Sequence, residues 1–271
     1  MKAFKKITFK ILKAALITLF WLTIWQIISI IIDMPLLLPG PIAVLKRLFE
    51  LIVTKEFILS SLASLFRIFI GIFIALGLGT LLAVLCSVSK VVYSIFYPVL
   101  TIIKATPVVS FVLLIWLFIG EQQTPIIITI MMMLPIVWAN VYQGIKSVDE
   151  QLLEVCNVYK IPFKKRLTSL YVPSVIPYFV SSLLSGIGLS WKAGVAAEVL
   201  CSPEWSIGEA IFNAKYDFDG IELFAWTVTV IILSLIFELL LTRLIKLVFK
   251  KYISDKGASN ENKKPNKILW R

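Results

Sequence analysis

The sequence contains no histidine and only three cysteines among its 271 residues. Histidine is the commonest general base and a frequent metal ligand near neutral pH, so its absence argues against hydrolases, intramembrane metalloproteases and redox carriers. The cysteines, Cys86, Cys156 and Cys201, are far apart and odd in number, and their spacing matches neither a disulfide framework nor a zinc site. We therefore predict no metal site and interpret the cysteines as small apolar residues.

Charged residues are also scarce, at 16% of the chain, whereas 59% of the residues are hydrophobic and the mean hydropathy is +0.93. In soluble domains about a quarter of the residues are charged. The composition therefore predicts an integral membrane protein surrounded by lipid. The net charge of +11 comes from basic residues beside apolar runs, which favours anchoring at the cytoplasmic membrane face over nucleic-acid binding.

Long apolar runs predict an all-α, polytopic fold with six transmembrane helices. A run of about 20 apolar residues crosses ~30 Å of hydrocarbon as a helix. The first run is longer than the core of a signal peptide and no Ala-x-Ala pattern follows it, so we expect it to remain as a span. The predicted spans are 14–32, 57–89, 91–120, 124–145, 175–200 and 223–237, the last of which continues past Glu238.

Two of these regions contain or adjoin helix breakers. Leu38-Pro39-Gly40-Pro41 follows the first span and precedes residues 42–53, a predicted amphipathic helix in the membrane interface. The third span is interrupted by Pro98, Lys104 and Pro107, which remove or strain part of its hydrogen-bond ladder. In lipid such breaks persist only where protein or a wet cavity satisfies the freed backbone groups.

Small residues spaced for close helix contact occur in the second span at Gly71, Gly77 and Gly79.

The distribution of lysine and arginine predicts that both termini are cytoplasmic. Five basic residues precede the first span, five lie from Lys146 to Arg166 and nine lie from Arg243 onward, against three at 33–56 and one at 201–222. Cytoplasmic loops carry the excess of basic residues, so we predict a multi-pass protein of the cell membrane. Residues 1–255 are predicted to form the membrane domain, and the basic tail 256–271 to be disordered in the cytoplasm.

A polar segment, 149–173, separates the fourth and fifth spans and lies on the cytoplasmic side by the same count. Asp149 is a candidate helix cap, and Ile161-Pro162 predicts a turn into a second helix from Phe163. We therefore expect two short helices joined at an elbow and anchored to membrane helices at both ends. One helical face of the first is predicted to comprise Leu152, Leu153, Cys156 and Tyr159.

Within this segment, Glu154-Val155-Cys156 is followed after three residues by Lys160 and after nine more by Leu170-Tyr171-Val172-Pro173. This resembles the loop motif of permease subunits of binding-protein-dependent ABC importers: Glu-Ala-Ala, three residues, Gly, nine residues, Ile-x-Leu-Pro. Lys160 replaces the motif glycine, and because lysine adopts positive φ less readily, we expect Ile161-Pro162 to make the elbow. Further similar segments are 38–41, 103–107, 116–120, 189–193 and 196–198.

Among these permeases, the chain resembles the nitrate, sulfonate and taurine branch of the type I importer fold. The resemblance implies a transport subunit that forms a solute path. It implies that the loop docks in a cleft of a separate cytoplasmic ATP-binding subunit. It also implies an extracytoplasmic solute-binding protein and a second permease copy, with a homodimer the simpler choice. The loop residues expected to couple to the ATPase are Glu154, Val155, Cys156, Tyr159, Lys160, Pro162 and Pro173.

No G-x-x-x-x-G-K-[ST] phosphate loop occurs in the sequence. We therefore expect ATP and Mg to be bound by the partner ATPase, and this chain to bind no cofactor and to be no enzyme by itself.

Five residues are candidates for lining the path: Lys104, Trp116, Trp191, Lys192 and Glu198. An ionisable group in mid-span costs at least about 2.5 kcal/mol and usually faces the bundle interior or an aqueous cavity. Lys104 therefore either lines the path and favours an anion, or pairs structurally with a carbonyl or with Glu198. Lys192 and Glu198 fit an outer gate or path but also snorkelling to the outer headgroups. The two tryptophans also fit helix packing or an interfacial belt.

Residues 206–212 are a candidate short helix that either closes the outer mouth or docks the binding protein. The solute is expected to be a small anion or zwitterion. An ion-coupled secondary transporter is the alternative function; it would work without nucleotide and would usually show repeat-related broken helices, yet we find no internal repeat. An intramembrane enzyme is disfavoured because the spans contain no nucleophile-base constellation.

Overall fold

The computed structural model describes residues 2–249, and every regular element in that range is helical. The all-α prediction is confirmed, whereas the predicted tail, 256–271, lies outside the described residues. The helices are α1 (Lys2–Ile32), α2 (Pro41–Ile52), α3 (Lys55–Val88), α4 (Lys90–Ala105), α5 (Val108–Ile119), α6 (Thr124–Lys146), α7 (Glu150–Val158), α8 (Phe163–Arg166), α9 (Val172–Cys201), α10 (Ile207–Tyr216) and α11 (Gly220–Val248), with a π-helical turn (Leu167–Tyr171) between α8 and α9.

Five helical segments are long and apolar enough to cross a membrane: Ala15–Ile32 of α1, α3, α6, the continuous helix Phe163–Cys201, and α11. The helices α4 and α5 meet this requirement only as a pair, and they are bent by 108° at the break between them. With the pair counted as one broken crossing, the six predicted spans are present.

The break between α4 and α5 falls at Thr106 and Pro107. Proline has no N–H to donate, and its ring disfavours the helical conformation of the preceding residue. Thr106 accordingly has extended backbone angles, φ −84° and ψ 135°. Pro98 lies inside α4 and Lys104 in its last turn, so neither ends the helix. The predicted interruption of the span is confirmed at Pro107. Pro98 removes one hydrogen bond of the ladder without breaking α4, and the helix ends one residue after Lys104.

The amphipathic helix predicted before the second span is α2. Its buried face consists of Pro41, Val44, Leu48 and Leu51. On another side Arg47 donates to the carboxylate of Glu222, at the start of α11, over 2.7 Å and to Glu50 over 3.3 Å. The hydrogen bond to Glu222 raises the pKa of the Arg47 guanidinium against the opposing effect of burial. This ion pair ties α2 to α11.

The chain divides into two compact units, one comprising Met1–Ser64 and Glu198–Ile232, the other Leu65–Ala197 and Leu233–Arg271. In the first unit, aromatic rings join the helices. Trp226 of α11 stacks on Phe57 of α3 with centroids 5.1 Å apart, and Phe224 lies 6.1 Å from Trp25 of α1.

In the second unit, small residues let α3 approach α6 closely. A methyl group on Gly71 would lie 2.7 Å from the Cβ of Thr129, and one on Gly79 would lie 2.8 Å from the Cβ of Val137. Gly77, in contrast, has nothing within 4 Å of the corresponding position. The predicted role in close helix contact is therefore confirmed for Gly71 and Gly79 but not for Gly77.

We expect Gly71→Ala to lower the stability of the protein by about 1–3 kcal/mol, because overpacking a tight contact forces the neighbours apart. The matched change Gly77→Ala should leave stability unchanged or raise it by up to about 1 kcal/mol, since alanine is the better helix former. Thermal unfolding of both purified variants in detergent would measure the difference. Equal melting temperatures for the two would contradict the close α3–α6 approach.

Candidate functional site

The first helix of the polar segment is α7, and its start is capped as predicted. Asp149 has an extended backbone, and its carboxylate accepts a hydrogen bond from the N–H of Gln151 over 2.8 Å. Glu150, in the first turn, adds a negative charge near the positive end of the helix dipole. The cap fixes where α7 begins, just after the end of α6.

The elbow after α7 turns at Lys160. Its φ is +50°, in the left-handed region. The N–H of Ile161 donates to the carbonyl of Cys156 over 2.9 Å, and the N–H of Lys160 to that of Asn157 over 3.1 Å. These two bonds form a Schellman motif, which usually carries glycine at this position. The expectation that Ile161-Pro162 would make the turn in place of Lys160 is wrong, because Lys160 adopts the conformation that the motif glycine favours. Pro162 is the N-cap of α8, which starts at Phe163 as predicted.

Arg166 holds the elbow closed. Its Nε donates to the carbonyl of Ile161 over 2.8 Å, and its two terminal nitrogens donate to the side chain of Asn157 over 2.6 Å and to the carbonyl of Cys156 over 3.2 Å. The planar fork of an arginine suits such divergent acceptors. This role was not predicted, because nothing in the run Lys164-Lys165-Arg166 indicates which side chain folds back.

Three large side chains of the elbow are exposed. Val158, Tyr159 and Phe163, which we call the elbow surface, are 77%, 76% and 72% exposed. Exposed apolar groups that cluster at a protein surface are typical of interaction sites. Of the remaining residues predicted to couple, Cys156 is half-buried, and the exposed ones are Glu154, Val155, Lys160 and Pro162.

Pro173, at the end of the motif, lies within a continuous helix and does not end a loop. The π-helical turn Leu167–Tyr171 immediately precedes it, and the N–H of Val172 donates to the carbonyl of Leu167. A proline offers no N–H, and its ring collides with the carbonyl four residues earlier in a regular α-helix. The widened turn gives that ring room. The helix that contains the predicted fifth span therefore begins at Phe163, twelve residues before the predicted start of that span near Val175.

A second cluster joins α4 to α6 through four aromatic rings, Tyr93, Tyr97, Trp138 and Tyr142, which we call the aromatic ladder. Tyr93 stacks on Tyr142 with centroids 5.2 Å apart, and Tyr97 lies 6.3 Å from Trp138. Trp138 stacks on Tyr142 in turn, at 5.7 Å. This cluster was not predicted, although the i, i+4 spacing of the rings on each helix is a signal for it.

A lysine lies at each end of the aromatic ladder. The ammonium of Lys104 is 5.9 Å from the ring centroid of Trp138, and that of Lys146 is 5.8 Å from the ring centroid of Tyr142. Both distances allow a cation–π interaction, worth about 0.5–1 kcal/mol at exposed sites and about 2 kcal/mol when desolvated. The Lys104 side chain is exposed, so its ammonium keeps room for a further partner.

The remaining predicted path residues differ in exposure. Trp116 of α5 is 40% exposed and Lys192 of α9 is exposed, whereas Trp191 is 1% exposed and packs against Phe237 with centroids 5.5 Å apart. A role in the path stays a prediction for each of them. For Trp191 the ring contact also provides a packing role.

Glu198, the last of the predicted path residues, is completely buried. The hydroxyl of Ser64 donates to its carboxylate over 2.6 Å, and the same hydroxyl accepts a hydrogen bond from the N–H of Ile207 over 2.9 Å. Ile207 is the first residue of α10, a helix that confirms the predicted element at 206–212. Glu198 and Ser64 thus fix the start of α10, a role that was not predicted for either residue.

Comparison with known proteins gives consistent matches. A family model described as "Binding-protein-dependent transport system inner membrane component" matches residues 68–253. The formylaminopyrimidine transport permease protein ThiX of Halalkalibacterium halodurans is 28% identical over 233 residues, which cover 85% of this chain and 91% of ThiX. The nitrate import permease protein NrtB of Synechococcus elongatus is 28% identical over 207 residues, 72% of this chain and 73% of NrtB. A Bacillus subtilis protein named as an aliphatic sulfonates transport permease, SsuC, is 25% identical over 75% of this chain and 74% of its own.

We expect Lys160→Gly to stabilise the elbow. A left-handed conformation costs a non-glycine residue about 1–2 kcal/mol, which exceeds the added chain entropy of glycine, about 0.5–1 kcal/mol. Amide exchange of the segment 150–166, followed by mass spectrometry, should slow by up to about fivefold. The matched change Lys165→Gly, at a helical exposed lysine, should instead speed it. If both glycine variants exchange faster than the parent, the left-handed assignment of Lys160 is wrong.

Ser64→Ala should destabilise the start of α10 by about 1–3 kcal/mol, since it leaves a buried carboxylate and a buried N–H without this partner. Ser61, on the same helix, is the control: its buried hydroxyl has no hydrogen-bond partner in the described part of the chain, so Ser61→Ala should be nearly neutral. Thermal unfolding and amide exchange at 207–216 would report both effects. Equal protection of α10 in the two variants would contradict the anchoring role.

Proposed function

The chain belongs to the family of binding-protein-dependent transport system inner membrane components, and from this premise we propose that it works as the permease of an ATP-driven importer with a separate ATPase. In this proposal two copies of the chain enclose one solute path. The membrane-spanning helices confirm a multi-pass membrane protein. ATP hydrolysis is assigned to the partner because the sequence has no phosphate-binding loop.

The observation that carries the proposal is the elbow surface. Val158, Tyr159 and Phe163 are more than 70% exposed on a turn held rigid by Arg166 and by the Schellman motif. An exposed apolar surface of this kind costs free energy in water unless a partner covers it. A rigid element joined to α6 on one side and directly to α9 on the other is suited to transmit a motion of the ATPase to two membrane helices. We propose that the predicted coupling residues act in this contact.

Orientation follows from the distribution of charge. The excess of lysine and arginine at the amino end, from Lys146 to Arg166 and after Arg243 supports cytoplasmic termini and a cytoplasmic elbow. Counting α4 and α5 as one broken crossing gives an even number of spans, which supports the same arrangement. The outer side then contains α2 and α10, where an extracytoplasmic solute-binding protein would deliver its cargo.

For the solute we propose a small anion or zwitterion. Relatives are named for the transport of nitrate and of aliphatic sulfonates, both of them anions. In this chain an exposed lysine, Lys104, lies in the broken α4–α5 segment, where an ionisable group usually faces a cavity or a partner. Trp116, Trp191, Lys192 and Glu198 remain proposed path residues.

The contact with the ATPase can be tested at one residue. We expect Tyr159→Glu to reduce co-purification of the ATPase subunit by at least about tenfold, because an unpaired carboxylate in an apolar interface costs several kcal/mol. ATP-dependent uptake of the solute in membrane vesicles should fall with it. The matched control for ATPase co-purification is Tyr216→Glu at the end of α10, since Tyr216 is also 76% exposed and lies far along the chain from the elbow.

Two outcomes would contradict the proposal. One is that Tyr159→Glu retains the ATPase as well as Tyr216→Glu does. The other is that uptake continues after ATP depletion, which would identify an ion-coupled secondary transporter instead.

A further inference from the structure

We propose that the aromatic ladder and its two lysines form a contact surface for a small oxyanion within the solute path. This inference rests on the proposed function in one respect only, namely that the chain encloses a path. It adds the residues of α4 and α6 that meet the solute and the chemistry that they select.

The ladder consists of two stripes on neighbouring helices. On α6, Trp138, Tyr142 and Lys146 are four residues apart and so share one face. On α4, one face carries Tyr93, Tyr97, Thr101 and Lys104. The ring contacts pair Tyr93 with Tyr142 and Tyr97 with Trp138, so the stripes run antiparallel. Lys104, which lies over Trp138, therefore ends the ladder on one side, and Lys146 ends it on the other. Along α6, Trp138 and Lys146 are about two helical turns apart.

The hydrogen-bond groups of the ladder argue that it faces water or a polar ligand. Within the residues that the structure describes, the buried indole N–H of Trp138 has no hydrogen-bond partner. Tyr97 is 49% exposed and Lys104 is exposed. Phenol and ammonium groups turned toward hydrocarbon would each cost free energy. Helix packing alone would be served by phenylalanine and would need neither hydroxyls nor lysines.

The same groups determine whether the surface favours a negatively or a positively charged ligand. Two ammonium ions and three phenol hydroxyls offer hydrogen-bond donors. The ammonium groups lie over ring faces, which carry the negative part of the ring quadrupole, and so keep their remaining donors for another acceptor. No carboxylate belongs to the ladder, so a cation would gain only the attraction of the ring faces, against the repulsion of the two lysines. A compact oxyanion, such as a sulfonate, nitrate or carboxylate group, matches this set of donors.

Thiol labelling tests this surface without ATP and without knowledge of the natural solute. Thr101→Cys places a thiol on the α4 stripe between Tyr97 and Lys104 and keeps every ring. The complex in lipid nanodiscs is treated with an anionic (sulfonatoethyl) or a cationic (trimethylammonioethyl) methanethiosulfonate, and mass spectrometry of the peptide that contains position 101 gives each rate. We expect an anionic-to-cationic rate ratio about tenfold above that of a free thiol. Nitrate or methanesulfonate should slow the reaction.

Two variants serve as controls. Ile95→Cys places the thiol on the opposite side of α4, at a residue that is 58% exposed, and should react with neither reagent because it faces lipid. Lys104→Met in the Thr101→Cys background should return the rate ratio to near that of a free thiol. If Thr101→Cys fails to assemble, Tyr97→Cys carries the thiol one turn earlier on the same stripe.

The proposal is overturned if position 101 is as unreactive as position 95, or if its rates show no preference for the anionic reagent. A preference that Lys104→Met leaves unchanged would also overturn it. These results are separate from the test of the proposed function: loss of ATPase binding in the parent protein would refute the importer assignment and leave the labelling result standing.

Discussion

The lack of water in a bilayer is the constraint on which the rest of this structure depends. Every backbone N–H and C=O in the hydrocarbon region must find a partner within the protein, which is why the candidate spans are helices. The places where the helical ladder is interrupted are therefore informative. Pro107 breaks the α4–α5 pair, and the widened turn before Pro173, at the end of the polar segment, keeps one long helix continuous from α8 into α9.

Outside the spans, where water is available, the elbow uses a different solution. Its turn places Lys160 in a left-handed conformation that glycine would adopt at lower cost. Two backbone hydrogen bonds and the three donated by Arg166 offset that cost. The hydrogen bonds that offset the strain at Lys160 thus lie within the elbow itself, so they do not require the elbow surface, which stays exposed and apolar. Rigidity and exposure together are what a contact that transmits motion requires.

The helix α6 separates packing from polar chemistry by dividing them between two adjacent stripes. Thr129 and Val137 lie where α3 approaches most closely through its glycines. Trp138, Tyr142 and Lys146 lie one residue further around the helix and carry the aromatic ladder. The first stripe packs against α3, and the second packs against α4 through its rings and carries the donors of the proposed solute contact. Met133, which is completely buried, belongs to the packed stripe.

Sequence by itself determined the all-α class, the spans, the amphipathic α2, the cap at Asp149 and the existence of an elbow. Each of these depends on hydropathy, helical periodicity or turn chemistry, which act over a few neighbouring residues. Only the tertiary structure decided that Lys160 makes the turn, that Arg166 closes it, that a side chain at Gly77 would meet open space and that Glu198 is buried beside Ser64. Glu198 and Ser64 are far apart in the chain, and the rotational register of two helices, which sets whether such residues meet, is fixed by packing along their whole length.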